Sequence, residues 1–203
     1  YLQYMKSVGI HNFDVMVGYE WQHFHRKGNN RYAGLYPSTN TVNPGKEYSP
    51  SSKEWASENY LVSFFGRLNY TLADKYLFTA TVRRDGSSRF NKDHRWGTFP
   101  SFAFGWKMKE EGFLKDVDAL SDLKLRLGYG VTGQQNIGSD YSYFASYTAN
   151  RGFAYYPIGY GKGESYRPDA YNKNLKWERT TTYNAGLDYG FLNGRLTGSV
   201  DYY

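Results

Sequence analysis

Large apolar and polar side chains alternate with period two along most of this chain, and each such run predicts a strand with one apolar and one polar face. The longest run covers 177–191. One of its faces carries Trp177, Arg179, Thr181, Tyr183, Ala185, Leu187, Tyr189 and Phe191. The other carries Glu178, Thr180, Thr182, Asn184, Gly186, Asp188 and Gly190, with no large apolar group among them. Leu123, Leu125, Leu127, Tyr129 and Val131 alternate in the same way with Lys124, Arg126, Gly128, Gly130 and Thr132. So do Phe13, Val15, Val17, Tyr19 and Trp21 with Asp14, Met16, Gly18, Glu20 and Gln22. The pattern is weaker over 60–70, where Leu61 and Phe65 fall on the polar side with Ser63, Arg67 and Asn69. Residues 76–84, 98–108 and 195–203 continue the series, while 1–6 is too short for a face to be assigned. The total is about eight strands.

The connections sort by length. Those at 7–11, 71–75 and 192–194 are short, and 109–122 is a modest turn with room for a helical piece. Long connections are expected at 27–57 and 134–175, with a shorter loop at 85–95. Short turns at one end and long loops at the other are the mark of an up-and-down outer-membrane barrel, short side periplasmic. Asn193-Gly194 suits a two-residue type I′ turn, because both central positions need φ > 0. That turn sets Phe191 opposite Leu196, Tyr189 opposite Gly198 and Leu187 opposite Val200, all on the apolar face. A three-residue loop at 72–74 sets Leu68 opposite Phe78. By parity Arg84, Arg179, His23 and His25 lie on the apolar face, and all four sit at the long-loop end of their strands. There a charge on a barrel exterior costs little, against about 2 to 4 kcal/mol at the bilayer midplane.

Composition fits this picture only if the membrane is crossed by strands. The mean hydropathy of −0.74 and a 40% hydrophobic content leave no run of about 20 apolar residues for a spanning helix. Aromatic residues nevertheless make up 20% of the chain, with 22 Tyr, 13 Phe and 5 Trp, as interfacial girdles require. The absence of Cys rules out a disulfide framework, a thiolate nucleophile or a thiolate metal site. A net charge of +6 comes without any Lys/Arg block, which argues against a nucleic-acid partner. No basic and apolar leader opens the sequence, and both ends fall inside strand patterns, so the boundaries are expected to be cuts within a longer protein.

Several segments carry a family resemblance. Residues 63–70, SFFGRLNY, and 75–90, KYLFTATVRRDGSSRF, resemble strands of the SusC/RagA family of TonB-dependent outer-membrane transporters. RWGTFPSFAFGW at 95–106, Phe113-Leu114, LSDLKLRLGYGVTGQ at 120–134, LKWE at 175–178, and the segments 184–190 and 195–203 are similar to successive motifs of the C-terminal part of that barrel. These motifs run in order over most of the chain; Gln134-Gln135 departs from the family's usual Gly-Asn-Gln. The resemblance implies an all-β fold, an antiparallel transmembrane β-barrel of about 22 strands around a plug, of which residues 1–203 supply eight or so. Plug, TonB box and N-terminal extension are then absent from this stretch. It also implies a SusD-like surface lipoprotein, TonB acting through the missing N-terminal part, the lipid bilayer with lipopolysaccharide, and a small nutrient as partners, with no cofactor.

Candidate chemistry divides by location. Arg67, Arg83, Lys124, Arg126, Glu178 and Asp188 are the polar wall positions expected to face the lumen. Tyr141, Tyr143, Tyr147, Phe153, Tyr155 and Tyr156, in the 134–175 connection, are candidate contacts for substrate or partner, since aromatic faces stack on sugar C–H surfaces and on apolar partners alike. The competing role for them is packing the loop against its neighbours. Arg83, Arg84, Asp85, Ser87, Ser88 and Arg89 form the densest polar cluster. The plainer reading is an Asp85-Gly86 turn with the arginines paired to wall or plug carboxylates and lipopolysaccharide, and a site for an anionic substrate is the alternative. His23 and His25 share a strand face, a spacing that can serve a metal but without a third ligand nearby in sequence. There is no G-x-S-x-G, and Gly159-Tyr160-Gly161-Lys162-Gly163 lacks phosphate-loop spacing.

The expected function is import of an oligosaccharide or peptide without covalent chemistry. Two rivals remain: a small outer-membrane barrel enzyme, which needs a Ser/His/Asp set at the rim, and a soluble all-β carbohydrate-binding module, which needs a polar exterior. Neither requirement is visible in the sequence.

Overall fold

The structure, a computed structural model, describes residues 1–37, 46–158 and 161–203, with side chains described for 1–30, 54–148 and 166–203. Among the described residues ten strands run in order: β1 (Leu2–Val8), β2 (His11–Pro37), β3 (Lys46–Leu72), β4 (Tyr76–Ser87), β5 (Trp96–Lys107), β6 (Leu120–Gln134), β7 (Tyr147–Ile158), β8 (Gly161–Pro168), β9 (Glu178–Phe191) and β10 (Leu196–Tyr202), with a 3-10 turn at Met108–Glu110. Eight of them form one open antiparallel sheet in the order β1-β2-β3-β4-β5-β6-β9-β10, while β7 and β8 make a separate hairpin. Every neighbour in the large sheet is therefore the next strand of the meander, apart from the β7–β8 excursion between β6 and β9. This is the all-β, antiparallel, eight-stranded wall expected from the alternation.

The ladder sorts the side chains into two faces. One row reads Phe13, Tyr70, Phe78, Phe104, Leu127 and Ala185 across β2, β3, β4, β5, β6 and β9; the next reads Val15, Leu68, Ala80, Phe102, Tyr129 and Tyr183. In β2 and β3 the face is banded. Phe13 stacks on Tyr70 at the short-turn end, aliphatic Val15, Val17 and Leu68 follow, and Tyr19, Phe64, Trp21 and Tyr60 close the band above. Two aromatic belts around an aliphatic middle are how a barrel exterior meets two interfaces and the hydrocarbon between them. Much of this face is exposed, Val17 at 53% and Phe102 at 52%. A water-soluble sandwich would bury such a face against a second sheet, and among the described residues no second sheet covers it.

The short connections gather at one end. The Ala73 amide donates to the Ile10 carbonyl at 2.7 Å, the Lys107 amide to the Lys75 carbonyl at 2.9 Å, and the Leu192 amide to the Ala119 carbonyl at 3.1 Å, so adjacent turns are stitched to one another. The register of β9 and β10 is the one that Asn193-Gly194 predicts, with Phe191 opposite Leu196, Tyr189 opposite Gly198 and Leu187 opposite Val200. Asn193 and Gly194 have φ of 58° and 78°. The Tyr189 ring lies over Gly198, where an added Cβ would come within 2.5 Å of the phenol oxygen, so only glycine admits that ring.

Several expectations are corrected. The hairpin expected over 72–74 closes instead over 73–75, placing Leu68 opposite Ala80 and Tyr70 opposite Phe78. Ala73 and Asp74 take the left-handed positions, with φ of 51° and 55°, and the shift by whole pairs leaves each side chain on its expected face. The connection at 27–57 is largely strand, since β2 and β3 stay paired from His11 opposite Leu72 out to Pro37 opposite Lys46. The connection at 134–175 contains β7 and β8. Asp85-Gly86 is no turn: both residues are in β4, paired with Gly97 and Trp96, and the chain reverses beyond Ser87. Trp177 does not belong to the apolar face. It precedes β9, and its ring packs with Leu61, Phe90 and Phe99 in the only buried apolar cluster among the described residues.

Candidate functional site

On the polar face, the side chains expected to matter are arranged as paired charges. Arg126 in β6 grips Asp188 in β9 with both arms of its guanidinium, Nε to Oδ2 at 2.9 Å and Nη2 to Oδ1 at 2.8 Å. Its Nη2 also donates to Asp201 in β10 at 2.9 Å. One arginine thus ties three strands. Gly186 makes room for it, because a Cβ there would lie 2.8 Å from Nη2 and 2.4 Å from the Asp201 carboxylate. Lys124 is the cross-strand neighbour of Asp188 and shares with Arg126 the wall of a trough of about 480 Å³. The trough is floored by Gly128 and Gly130 and edged by Thr182 and Asn184.

Further toward the long loops, Arg83 in β4 is held by three elements. Nε donates to Asp85 at 2.8 and 3.0 Å, and Nη2 donates to Glu20 of β2 at 3.0 Å and to the Ser63 hydroxyl of β3 at 2.9 Å. Arg67 is exposed on the same face between Met16 and Thr81. Glu178 opens β9 opposite Gln134, exposed and away from the Arg126 group. The six wall candidates therefore share a face without converging on one point. They form two arginine-centred clusters with Arg67 and Glu178 apart from both.

At the long-loop end the arginine-rich run meets a partner that its own sequence does not name. Arg89, just beyond β4, pairs with Asp140 at 2.8 Å, with both side chains less than a tenth exposed. Buried Asn59 donates to the same carboxylate at 3.1 Å, and Arg89 Nη1 reaches the Gln135 carbonyl at 3.4 Å. Phe90 and Trp177 pack beside it with ring centroids 5.3 Å apart, and Trp177 donates its indole N–H to the Arg95 carbonyl at 2.9 Å. The arginine-rich run is thus a clamp holding the loop segments after β4 and β6 on the sheet. Tyr141 belongs to the same clamp: its hydroxyl accepts from the Glu58 amide at 3.0 Å and donates to the Glu58 carbonyl at 3.3 Å. Tyr143 packs edge-on to Phe144 with centroids 5.8 Å apart. Tyr147 is 67% exposed at the start of β7. Phe153, Tyr155 and Tyr156 lie in β7 but outside the described side chains.

On the apolar face above the aromatic belt, His23 stacks on Tyr60 at 4.5 Å, and its Nε2 is 2.6 Å from Glu58 Oε1. The Tyr60 hydroxyl donates to the same carboxylate. At the opposite end, in the turn after β5, Glu111 accepts from the Tyr76 hydroxyl at 2.6 Å, the Trp106 indole at 3.1 Å and Lys75 at 3.3 Å. The Tyr76 hydrogen bond, followed by those from Trp106 and Lys75, holds the Glu111 carboxyl below its ordinary value of 4.5.

Comparison with known proteins agrees with this architecture. The family model described as TonB dependent receptor-like, beta-barrel matches residues 2–203. The chain is 58% identical over 203 residues to the TonB-dependent receptor SusC of Bacteroides thetaiotaomicron, covering all of this chain and 20% of that protein. It is 38% identical over 209 residues to the TonB-dependent receptor P3 of Formosa agariphila, again across the whole chain and 20% of the relative. The chain thus spans about a fifth of the length of these relatives. Among solved structures, the RagAB peptide transporter superposes with a TM-score of 0.77 at 29% identity, over 98% of this chain and 22% of that one. The open-open state of the RagAB peptide importer gives 0.78 at 26% identity with the same coverage.

Proposed function

This chain belongs to the TonB-dependent receptor-like β-barrel family, and from that premise we propose that it forms part of the wall of an outer-membrane nutrient importer of the SusC kind. The observation that carries the proposal is the two-faced sheet. Its apolar face runs across β2 to β6 and β9 and is banded for lipid in β2 and β3, while its polar face holds arginine–carboxylate pairs suited to a hydrated interior. Arg67, Arg83, Lys124, Arg126, Glu178 and Asp188 then look into the lumen. The trough beside Lys124 and Arg126 offers hydrogen-bonding groups along the wall, and no bond is made or broken there.

The work of transport falls to the whole assembly. A SusD-like lipoprotein covers the extracellular mouth, a plug occupies the barrel, and TonB draws on the proton gradient to shift that plug. The cargo is an oligosaccharide or a peptide. Peptide transport is a property of RagAB, and identity is higher to SusC. Tyr143, Tyr147 and the β7–β8 hairpin stand at the long-loop end where cargo or lipoprotein would be met.

Uptake by the native cell tests this directly. Removal of TonB or of the neighbouring lipoprotein should abolish accumulation of labelled oligosaccharide or peptide. Unchanged uptake in both deletions would overturn the proposal, and the labelled class that is lost identifies the cargo.

A further inference from the structure

On β4, β5 and β6 the apolar face carries a hollow and, farther toward the long loops, a group of cations. Phe78, Phe104 and Leu127 form one row, followed by Ala80, Phe102 and Tyr129. Val82 beside Pro100 comes next, and Arg84 beside Thr98 comes last. Ala80 is the smallest side chain in its row, and the rings around it enclose a hollow of about 370 Å³ walled by Leu68, Phe78, Phe102, Phe104, Leu127 and Tyr129.

Arg84 and Arg179 converge on Thr98. Arg84 is in the adjacent register position with its guanidinium 5.4 Å from the centre of the Trp96 ring, and Arg179 donates Nη2 to the Thr98 carbonyl. Beside them, at the edge of the apolar face, lies a pocket of about 290 Å³ between Trp96, Gly97, Thr98, Lys176, Trp177 and Arg179, which His94 and Asp93 also line. Lys176 and Arg179 in its lining, with Arg84 over the Trp96 ring that also lines it, outnumber the one carboxylate there. The bond to Thr98 uses one of the five N–H donors of Arg179, leaving the others for an oxyanion.

We infer that this strip is a binding site for one phosphorylated lipid of the outer leaflet, with an acyl chain in the Ala80 hollow and the phosphate among Arg84, Lys176 and Arg179. The four residues from Ala80 to Arg84 span about 13 Å of strand, so a single lipid reaches both features. Guanidinium forks favour phosphate oxygens, and cations at the headgroup level gain from an anionic surface. The inference rests on the membrane-spanning reading above.

The test uses the full-length receptor, extracted in mild detergent and analysed by native mass spectrometry, with lipid phosphate quantified in parallel. The wild type should retain a phosphorylated lipid. The triple variant Arg84→Gln, Lys176→Gln, Arg179→Gln should retain at least tenfold less. Ala80→Phe, which fills the hollow and leaves the cations in place, should also lower retention. Equal retention by the triple variant, or no retention by the wild type, overturns the site. Displacement by inorganic phosphate alone also overturns it, because the pocket would then take a soluble anion. A spin label at Leu187→Cys separates this from the underlying reading: oxygen accessibility exceeding that of a water-soluble nickel reagent keeps the wall in the bilayer whatever becomes of the lipid, and the reverse removes both.

Discussion

Arg89 and Asp140 show how much one buried pair can decide. Removing one partner leaves the other charge buried and uncompensated, which costs about 3 to 5 kcal/mol. Asp140→Ala should therefore free the loop segments after β4 and β6, seen as loss of hydrogen-exchange protection there, whereas the double change Arg89→Met, Asp140→Leu should restore most of it. The two residues are far apart in sequence, and Asp140 lies in a loop without alternation, which is why the arginine-rich run points to pairing but not to its partner. Arg126 was easier to read, because Asp188 follows from alternation in the next strand of the sheet, while the third contact, Asp201, needed the hairpin register as well. Glu111 supplies a pH effect of definite sign. Its folded value is lowered chiefly by the Tyr76 hydroxyl, so its contribution is complete above the ordinary glutamate value and is lost as pH falls through the lowered one. Protection factors across the turn after β5 should fall on acidification below the ordinary glutamate value of 4.5. Glu111→Gln should flatten that dependence, and an unchanged slope would refute the assignment.

At the level of elements, the strands were readable because each contact with two unlike environments writes period two into the sequence. The hairpins were readable only where glycine marked them. Asn193-Gly194 announced its register. The loop over 73–75 did not, because Ala73 occupies a left-handed position without being glycine, and a side chain there costs roughly 1 to 2 kcal/mol. Ala73→Gly should leave stability unchanged or raise it by up to about 1 kcal/mol, whereas Gly194→Ala should lower it by about 1 kcal/mol or more. Urea midpoints for refolding of the full-length barrel would read both. Trp177 misled the parity count because alternation continues in sequence past the point where β9 begins. The β7–β8 hairpin gave no alternation to read: Tyr155 and Tyr156 are adjacent, and glycines stand at positions 161 and 163.

For the whole molecule, the decisive quantity is depth. Arg84 and Arg179 are already present on the apolar face near the long loops, while Leu127 lies in the middle of its β6 run. Leu127→Arg should destabilise the barrel by about 2 to 4 kcal/mol, measured by folding into vesicles, and Thr98→Arg by much less; equal costs would mean that the face meets no hydrocarbon gradient. The stitched turns act at the same scale. The amides of Ala73, Lys107 and Leu192 each donate to a carbonyl in another turn, so the short-turn end forms one continuous rim, and loosening any single reversal is felt by the strand beyond it.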